Sequence, residues 1–144
     1  MKLIDHILSK YIGLSEKSQG SSPTILGWIL NYFPKTKDDG EVPYCSIAMI
    51  EVFKELGLPL PKGVTPSARS WIDHTLPKDY KPKYGDVVIF GRTDNPSLGH
   101  IAIYLRTNAF KRVFHLGFNQ GNSCSIDDTA EFKVVGWYNR HNIQ

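Results

Sequence analysis

Val42-Pro43-Tyr44-Cys45-Ser46, followed at once by the apolar run 47–56, decides how this chain is read. Within that run Met49, Val52, Phe53 and Leu56 fall at i, i+3, i+4 and i+7, the spacing of one buried helix face, so a helix is expected to start at Cys45. Pro43 has no N–H to offer and disfavours helix in the residue before it, while Gly57 supplies a left-handed stop. Cys45 therefore stands at a helix N-terminus. There the unpaired backbone N–H groups and the positive end of the macrodipole favour thiolate, the nucleophilic form of cysteine. Free cysteine is also among the most buried residue types, and the same position suits a small residue capping a core helix. The stretch alone leaves both readings open.

The rest of the chain narrows the choice. At 144 residues it is expected to form one domain, residues 1–144, with a core that needs no covalent staples. Its 41% hydrophobic and 22% charged residues are those of a globular protein. The net charge of +3, from 17 Lys and Arg against 14 Asp and Glu, includes no dense basic run. Nucleic acid is therefore not the expected partner, whereas an anionic surface such as a bacterial wall is compatible. No apolar run approaches the roughly 20 residues that span a bilayer, so membrane insertion is not expected. The first residues, Met1-Lys2-Leu3-Ile4-Asp5-His6, interrupt apolar side chains with charge and lack a cleavage-site pattern, which argues against a signal peptide. Cys45 and Cys124 are too few for a disulfide framework, and pairing them would block Cys45; both are read as thiols.

Leu3, Ile4, Ile7, Leu8 and Tyr11 repeat with helical period, and Gly13 ends the pattern, predicting a helix over 3–12. A second helix is expected from Thr24 as N-cap through Ile25, Trp28, Ile29 and Tyr32, closing before Pro34. Polar loops are read at 15–23 and 35–41. Beyond the cysteine helix, Leu58-Pro59-Leu60-Pro61-Lys62-Gly63 breaks both kinds of ladder, and Thr65 with Pro66 then opens a short helix over 67–72. From Tyr84-Gly85-Asp86 the period changes to two. Val87-Val88-Ile89-Phe90 reads as a central strand and His100-Ile101-Ala102-Ile103-Tyr104-Leu105 as its neighbour, joined by a polar loop, 91–99, with a turn at Asn95-Pro96. Arg112-Val113-Phe114-His115-Leu116 and Val134-Val135-Gly136-Trp137-Tyr138 supply two further strands. Helices first and strands last predict an α+β fold with an antiparallel sheet.

The alternation puts His100, Ala102 and Tyr104 on one face of their strand, with Ile101, Ile103 and Leu105 on the other. A helix N-terminus carrying Cys45 and packed over the His100 face would bring imidazole to thiol, the pairing that activates a cysteine nucleophile. A third group should then fix the imidazole tautomer. The segment Leu116-Gly117-Phe118-Asn119-Gln120-Gly121-Asn122 offers three, of which Asn119 is the best placed, ahead of Gln120 and Asn122. His115 should point away from Phe114 and Leu116, toward the His100 side, as a hydrogen-bonded or exposed histidine without a catalytic role. Cys124, between Ser123 and Ser125 in a polar loop, reads as incidental. Cys45, His100, His115 and Cys124 include no CxxC or HxxxH pair, and their spacings match no common zinc site.

At these residues the chain resembles the CHAP and NlpC-type cysteine peptidases. The likeness is carried by Tyr44-Cys45-Ser46 at a helix start, Gly85-Asp86-Val87-Val88 opening a strand, Gly99-His100-Ile101-Ala102, and Leu116-Gly117-Phe118-Asn119-Gln120 closing the next strand. Tyr11-Ile12-Gly13-Leu14-Ser15-Glu16 and Ala68-Arg69-Ser70-Trp71 resemble a phage- and secretion-associated branch of that superfamily, which extends the likeness over nearly the whole chain. The resemblance implies a papain-like fold that hydrolyses a peptide or amide bond of peptidoglycan. It further implies Cys45 as nucleophile, His100 as general base and then acid, and Asn119 as orienter, with no metal or organic cofactor. Asp86 is expected to be structural, capping the turn after Gly85. One departure stands out: many CHAP members carry a glutamate two positions before that asparagine, where this chain has Gly117. The rival expectation is a catalytically degenerate module of the same fold that binds wall peptide or a protein. A wall hydrolase made in the cytoplasm without a signal peptide must reach the periplasm or wall by phage or secretion machinery. Injection into a neighbouring cell would also call for an immunity protein over the cleft.

Overall fold

Helical periodicity in the first half and two-residue alternation in the second sort onto separate layers in the computed structural model, which describes residues 2–14, 22–37, 44–91, 99–120 and 123–139. The loop readings at 15–23, 35–41 and 91–99 fall wholly or partly outside the described residues, as do Pro43, the Asn95-Pro96 turn, Ser15-Glu16 and Asn122. Three helices come first, α1 (Lys2–Lys10), α2 (Pro23–Leu30) and α3 (Cys45–Glu55). Five strands follow: β1 (Val87–Gly91), β2 (Gly99–Thr107), β3 (Arg112–Gln120), β4 (Ser123–Ala130) and β5 (Val134–Tyr138). They form a single sheet in the order β4-β3-β2-β1-β5, antiparallel at every pairing. The α+β class and the antiparallel sheet are as predicted.

α1 buries Leu3, Ile4 and Ile7, and its outer edge is tied to α3 through Glu55, which accepts from His6 Nε2 at 2.8 Å, Lys10 Nζ at 3.3 Å and the Tyr11 hydroxyl. α2 begins two residues earlier than predicted. Ser22, not Thr24, is the N-cap, because Pro23 suits the first helical position and leaves the Ser22 hydroxyl to accept from the Ile25 N–H. α3 is buried nearly all round: Ser46, Ile47, Ala48, Met49, Val52 and Phe53 have no exposed surface. Gly57, at φ +66°, ends it in a Schellman arrangement, with Leu58 N–H on Phe53 C=O and Gly57 N–H on Lys54 C=O. The predicted helix at 67–72 is a single 3-10 turn, Ala68–Trp71, with Ser67 as its cap.

The helices cover one face of the sheet, where Val87, Ile89, Ile101, Ile103, Leu116, Phe118 and Cys124 join their core. On the other face Val88, Phe90, Ala102, Tyr104 and Val113 form a smaller cluster under Val134 and Trp137. β4 escaped the sequence reading, since Ser, Asp and Thr dominate Ser123–Ala130 and only Cys124 is buried to 1% exposure. Its pairing with β3 along nearly its full length decides its conformation, overriding its polar composition. Cys124 is thus a core residue of a strand and not a loop residue. Its N–H and C=O also bond Leu14 and Gly13, docking the segment after α1 onto β4.

Candidate active site

α3 packs on the Ile101 and Ile103 face of β2, opposite to the face expected for it, because its side chains are apolar enough to need the larger core. Thiol and imidazole meet only where the N-terminus of α3 reaches the start of β2. Tyr44, the N-cap, contributes no capping side chain, so the first-turn N–H groups have no partner from that residue's side chain. Cys45 is 6% exposed. Burial alone would push its thiol up, but the hydrogen bond to His100, the imidazolium charge, and the backbone N–H groups of Ile101 and Ser46 together hold it below the ordinary thiol value. His100 answers in the opposite sense. Burial would lower it, yet the bond to and charge of the Cys45 sulfur, the Gln120 carbonyl, and the charge of Asp127 hold it above the ordinary imidazole value. The two shifts favour the same state, thiolate beside imidazolium.

The group that orients His100 is Gln120. Its Oε1 lies 2.9 Å from His100 Nε2 and 2.6 Å from His115 Nδ1, while its Nε2 donates to Ser125 C=O at 2.7 Å. A carbonyl oxygen only accepts, so both imidazole nitrogens facing it carry protons. That leaves Nδ1 of His100 for the thiol. Asn119, the expected orienter, is half-buried, and among the described residues no hydrogen bond joins it to either histidine. The cause is a bulge. Gly117 pairs with Ser125 and Gln120 with Ser123, so Phe118 and Asn119 together oppose Cys124. Asn119 absorbs the extra residue at φ +59°, a left-handed conformation that asparagine tolerates better than most side chains. Phe118 stays in the core, and Gln120 rotates onto the His100 face.

Two signals for this were present in the sequence. One is an asparagine inside an apolar strand, a residue type suited to a left-handed bulge position. The other is Gly117: a Cβ built there would lie 2.7 Å from Gln120 Oε1 and 2.9 Å from Ala102 Cβ. The carboxamide of Gln120 occupies the space that a side chain at 117 would need.

The remaining residues of interest hold the site in place. Ser46 is structural: its Oγ donates to Thr65 C=O at 2.8 Å and accepts the Trp71 indole N–H at 2.9 Å, clasping α3 to the Ala68–Trp71 turn. Arg69 in that turn lies against Gly91 and Gly99, whose missing side chains make room for it beside the entry to the His100 strand. Asp86, fully buried, accepts from the Tyr80 hydroxyl at 2.5 Å and Lys83 N–H at 2.9 Å, fastening the turn into β1. Its role is the structural one expected. His115 faces the His100 side as anticipated and is hydrogen-bonded. Cys45 and Cys124 are both free thiols, and burial pushes Cys124 up to about 12, so it stays protonated. Among the described residues no three His, Cys, Asp or Glu side chains converge as metal ligands, and no helix is long and apolar enough to cross a membrane. Comparison with protein-family models, curated proteins and solved structures gave no match.

Chemically, the arrangement offers a nucleophilic sulfur, a base that can become an acid, and a neutral amide fixing that base.

Proposed function

We propose that this chain is a cysteine hydrolase of papain-like, CHAP or NlpC-type architecture that cleaves a peptide or amide bond of bacterial peptidoglycan. The observation that carries the reading is the hydrogen-bonded series of Cys45, His100 and Gln120 at the N-terminus of α3. In this scheme Nδ1 of His100 takes the Cys45 proton and the sulfur attacks the substrate carbonyl carbon. The carbonyl electron pair moves to oxygen, which the Cys45 backbone N–H can receive at the helix N-terminus. His100 then gives its proton to the leaving amine as the C–N bond breaks, leaving a thioester. Water, deprotonated by His100, attacks that thioester and releases the acid and the thiol. The steps use the Cys45 and His100 side chains, the Cys45 backbone N–H and water.

The choice of peptidoglycan rests on the resemblance carried by Tyr44-Cys45-Ser46, Gly99-His100-Ile101-Ala102 and Ala68-Arg69-Ser70-Trp71, since Cys–His chemistry serves amide hydrolysis in general. Such a substrate lies outside the cytoplasmic membrane, and the likeness of Ala68-Arg69-Ser70-Trp71 to the phage- and secretion-associated branch adds delivery by phage or contractile secretion machinery to the reading. In the secretion case it includes an immunity protein closing over Cys45 and His100. Against a catalytically silent binder stands a thiol held below its ordinary value beside a histidine held above its own. The test is digestion of purified sacculi by the parent chain and by Cys45→Ala, with the products sized by mass spectrometry. New peptide or amide ends that appear only with the parent are expected. Equal digestion by Cys45→Ala would remove the mechanism.

A further inference from the structure

We propose that His115 is a positioning residue for the Cys45–His100 pair, acting through Gln120 to fix the carbonyl oxygen on which His100 depends. The proposal deepens the hydrolase reading above and rests on it for its catalytic meaning, though its geometry stands independently. A glutamine side chain has three rotatable bonds, and Ser125 restrains only the nitrogen end of this one. His115 restrains the oxygen end: its Nδ1–H reaches Oε1 at 2.6 Å, alongside the His100 Nε2–H at 2.9 Å, one donor for each lone pair.

The tautomer of His115 follows from its partners. With Nδ1 donating to a carbonyl, Nε2 of the neutral ring is an acceptor, and the Thr129 hydroxyl at 2.9 Å is positioned to donate to it. The chain of donation thus runs from Thr129 to His115 to the Gln120 oxygen. Around the ring lie His100 on β2, Asp127 and Asp128 on β4, and the ring of Phe90, tilted at 51° and 4.8 Å away centroid to centroid. His115 is 2% exposed, and burial, followed by the repulsion of His100, pushes its pKa down to about 4. Its ring centroid is 5.9 Å from that of His100. Two imidazoles this close sharing one acceptor cannot both carry charge without cost, and His100, which has the Cys45 sulfur beside it, takes the charge while His115 remains neutral. His100 is left as the ring that charges.

The test uses the full chain without substrate. Cys45 thiolate is followed by its ultraviolet absorbance against pH, with Cys45→Ala as the blank, and by the rate of alkylation with iodoacetamide. His115→Leu, checked for folding by circular dichroism, should raise the thiolate midpoint and slow alkylation at neutral pH by about tenfold. His115→Asn, whose side-chain N–H can stand where Nδ1–H stood, should stay within about threefold of the parent. A folded Leu variant that titrates like the parent, or an Asn variant as slow as Leu, overturns the proposal. Nitrogen NMR of the parent imidazoles decides the matter even where the Leu variant does not fold. His115 should show a protonated Nδ1, a bare Nε2 and no titration between pH 5 and pH 8, and the opposite tautomer would refute the role. Failure to digest sacculi alongside the expected thiolate shifts would remove the hydrolase reading and leave the positioning role intact.

Discussion

A single methyl group at Gly117 should disable the site. An added Cβ would sit 2.7 Å from Gln120 Oε1 and 2.9 Å from Ala102 Cβ. Ala102 is fully buried inside β2 and its Cβ moves only with the sheet, so the Gln120 carboxamide must yield. On leaving, it breaks the bonds at 2.9 Å to His100 and 2.6 Å to His115, and it strands the buried Nδ1–H of His115. Two hydrogen bonds at about 1 kcal/mol each, with roughly 1–3 kcal/mol for the stranded donor, place the loss near 3–5 kcal/mol. That is a large part of the total stability of a domain this size. Loss of imidazole orientation should also slow Cys45 alkylation and substrate turnover by about 10–10²-fold, the equivalent of about 1.4–2.7 kcal/mol. The control is Gly27→Ala in α2, where nothing lies within 4 Å of the new Cβ and helix propensity favours alanine by about 1 kcal/mol. Urea unfolding and iodoacetamide kinetics on both variants separate the effects. If Gly117→Ala unfolds and reacts as Gly27→Ala does, the steric argument for Gln120 as orienter is wrong.

Three other outcomes are expected. Gln120→Ala should slow turnover by about 10–10³-fold while Asn119→Ala stays within about threefold, and Asn119→Gly should leave stability unchanged or raise it by up to about 1 kcal/mol at its positive φ; the reverse ranking in a hydrolysis assay would restore Asn119 to the site. Reactivity should rise with pH through the depressed Cys45 value, below the ordinary 9.0, as the thiolate forms, and turnover should fall as pH passes the elevated His100 value, above the ordinary 6.5, as the imidazolium loses its proton. A pH–rate profile without an alkaline limb would argue that His100 does not deliver a proton. Ser46→Ala should cost about 1–3 kcal/mol by orphaning the Trp71 indole N–H and leaving Thr65 C=O with the Ser70 hydroxyl at 3.2 Å as its donor, visible as a lower urea midpoint with the thiolate titration little changed.

Much of this was legible in the chain itself. The 49, 52, 53, 56 spacing and the proline before Cys45 point to the helix start, and alternation around His100 marks the second strand of the sheet. Local pattern speaks there because each element buries its own stripe. What escaped depends on partners that no local pattern reports. Ser123–Ala130 is a strand because β3 offers it a ladder, and its serines, aspartates and threonine betray little of that. The face chosen by α3 was misjudged because its apolar residues run all round the helix, and only the relative size of the two sheet faces decides between them. The identity of the orienter was lost at one residue, since strict alternation assigns Asn119 to the His100 face and a bulge withdraws it. His115 was placed on the correct side by alternation, but its hold on Gln120 required knowing where Gln120 points.

The bulge in β3 also bears on how this segment should be matched to any other chain. In a regular strand the slot opposite Ser123 would belong to residue 119; here Asn119 is a spacer, and Gln120 fills that slot. Removing Asn119 altogether would close the bulge and leave the same carboxamide across from the same serine. Shortening the strand at Phe118 would instead draw a polar residue into the core. A column-by-column alignment that ignores the extra residue therefore sets the wrong amide against the histidine. Superposing the strands, with the count taken from Ser123 backwards, sets the right one.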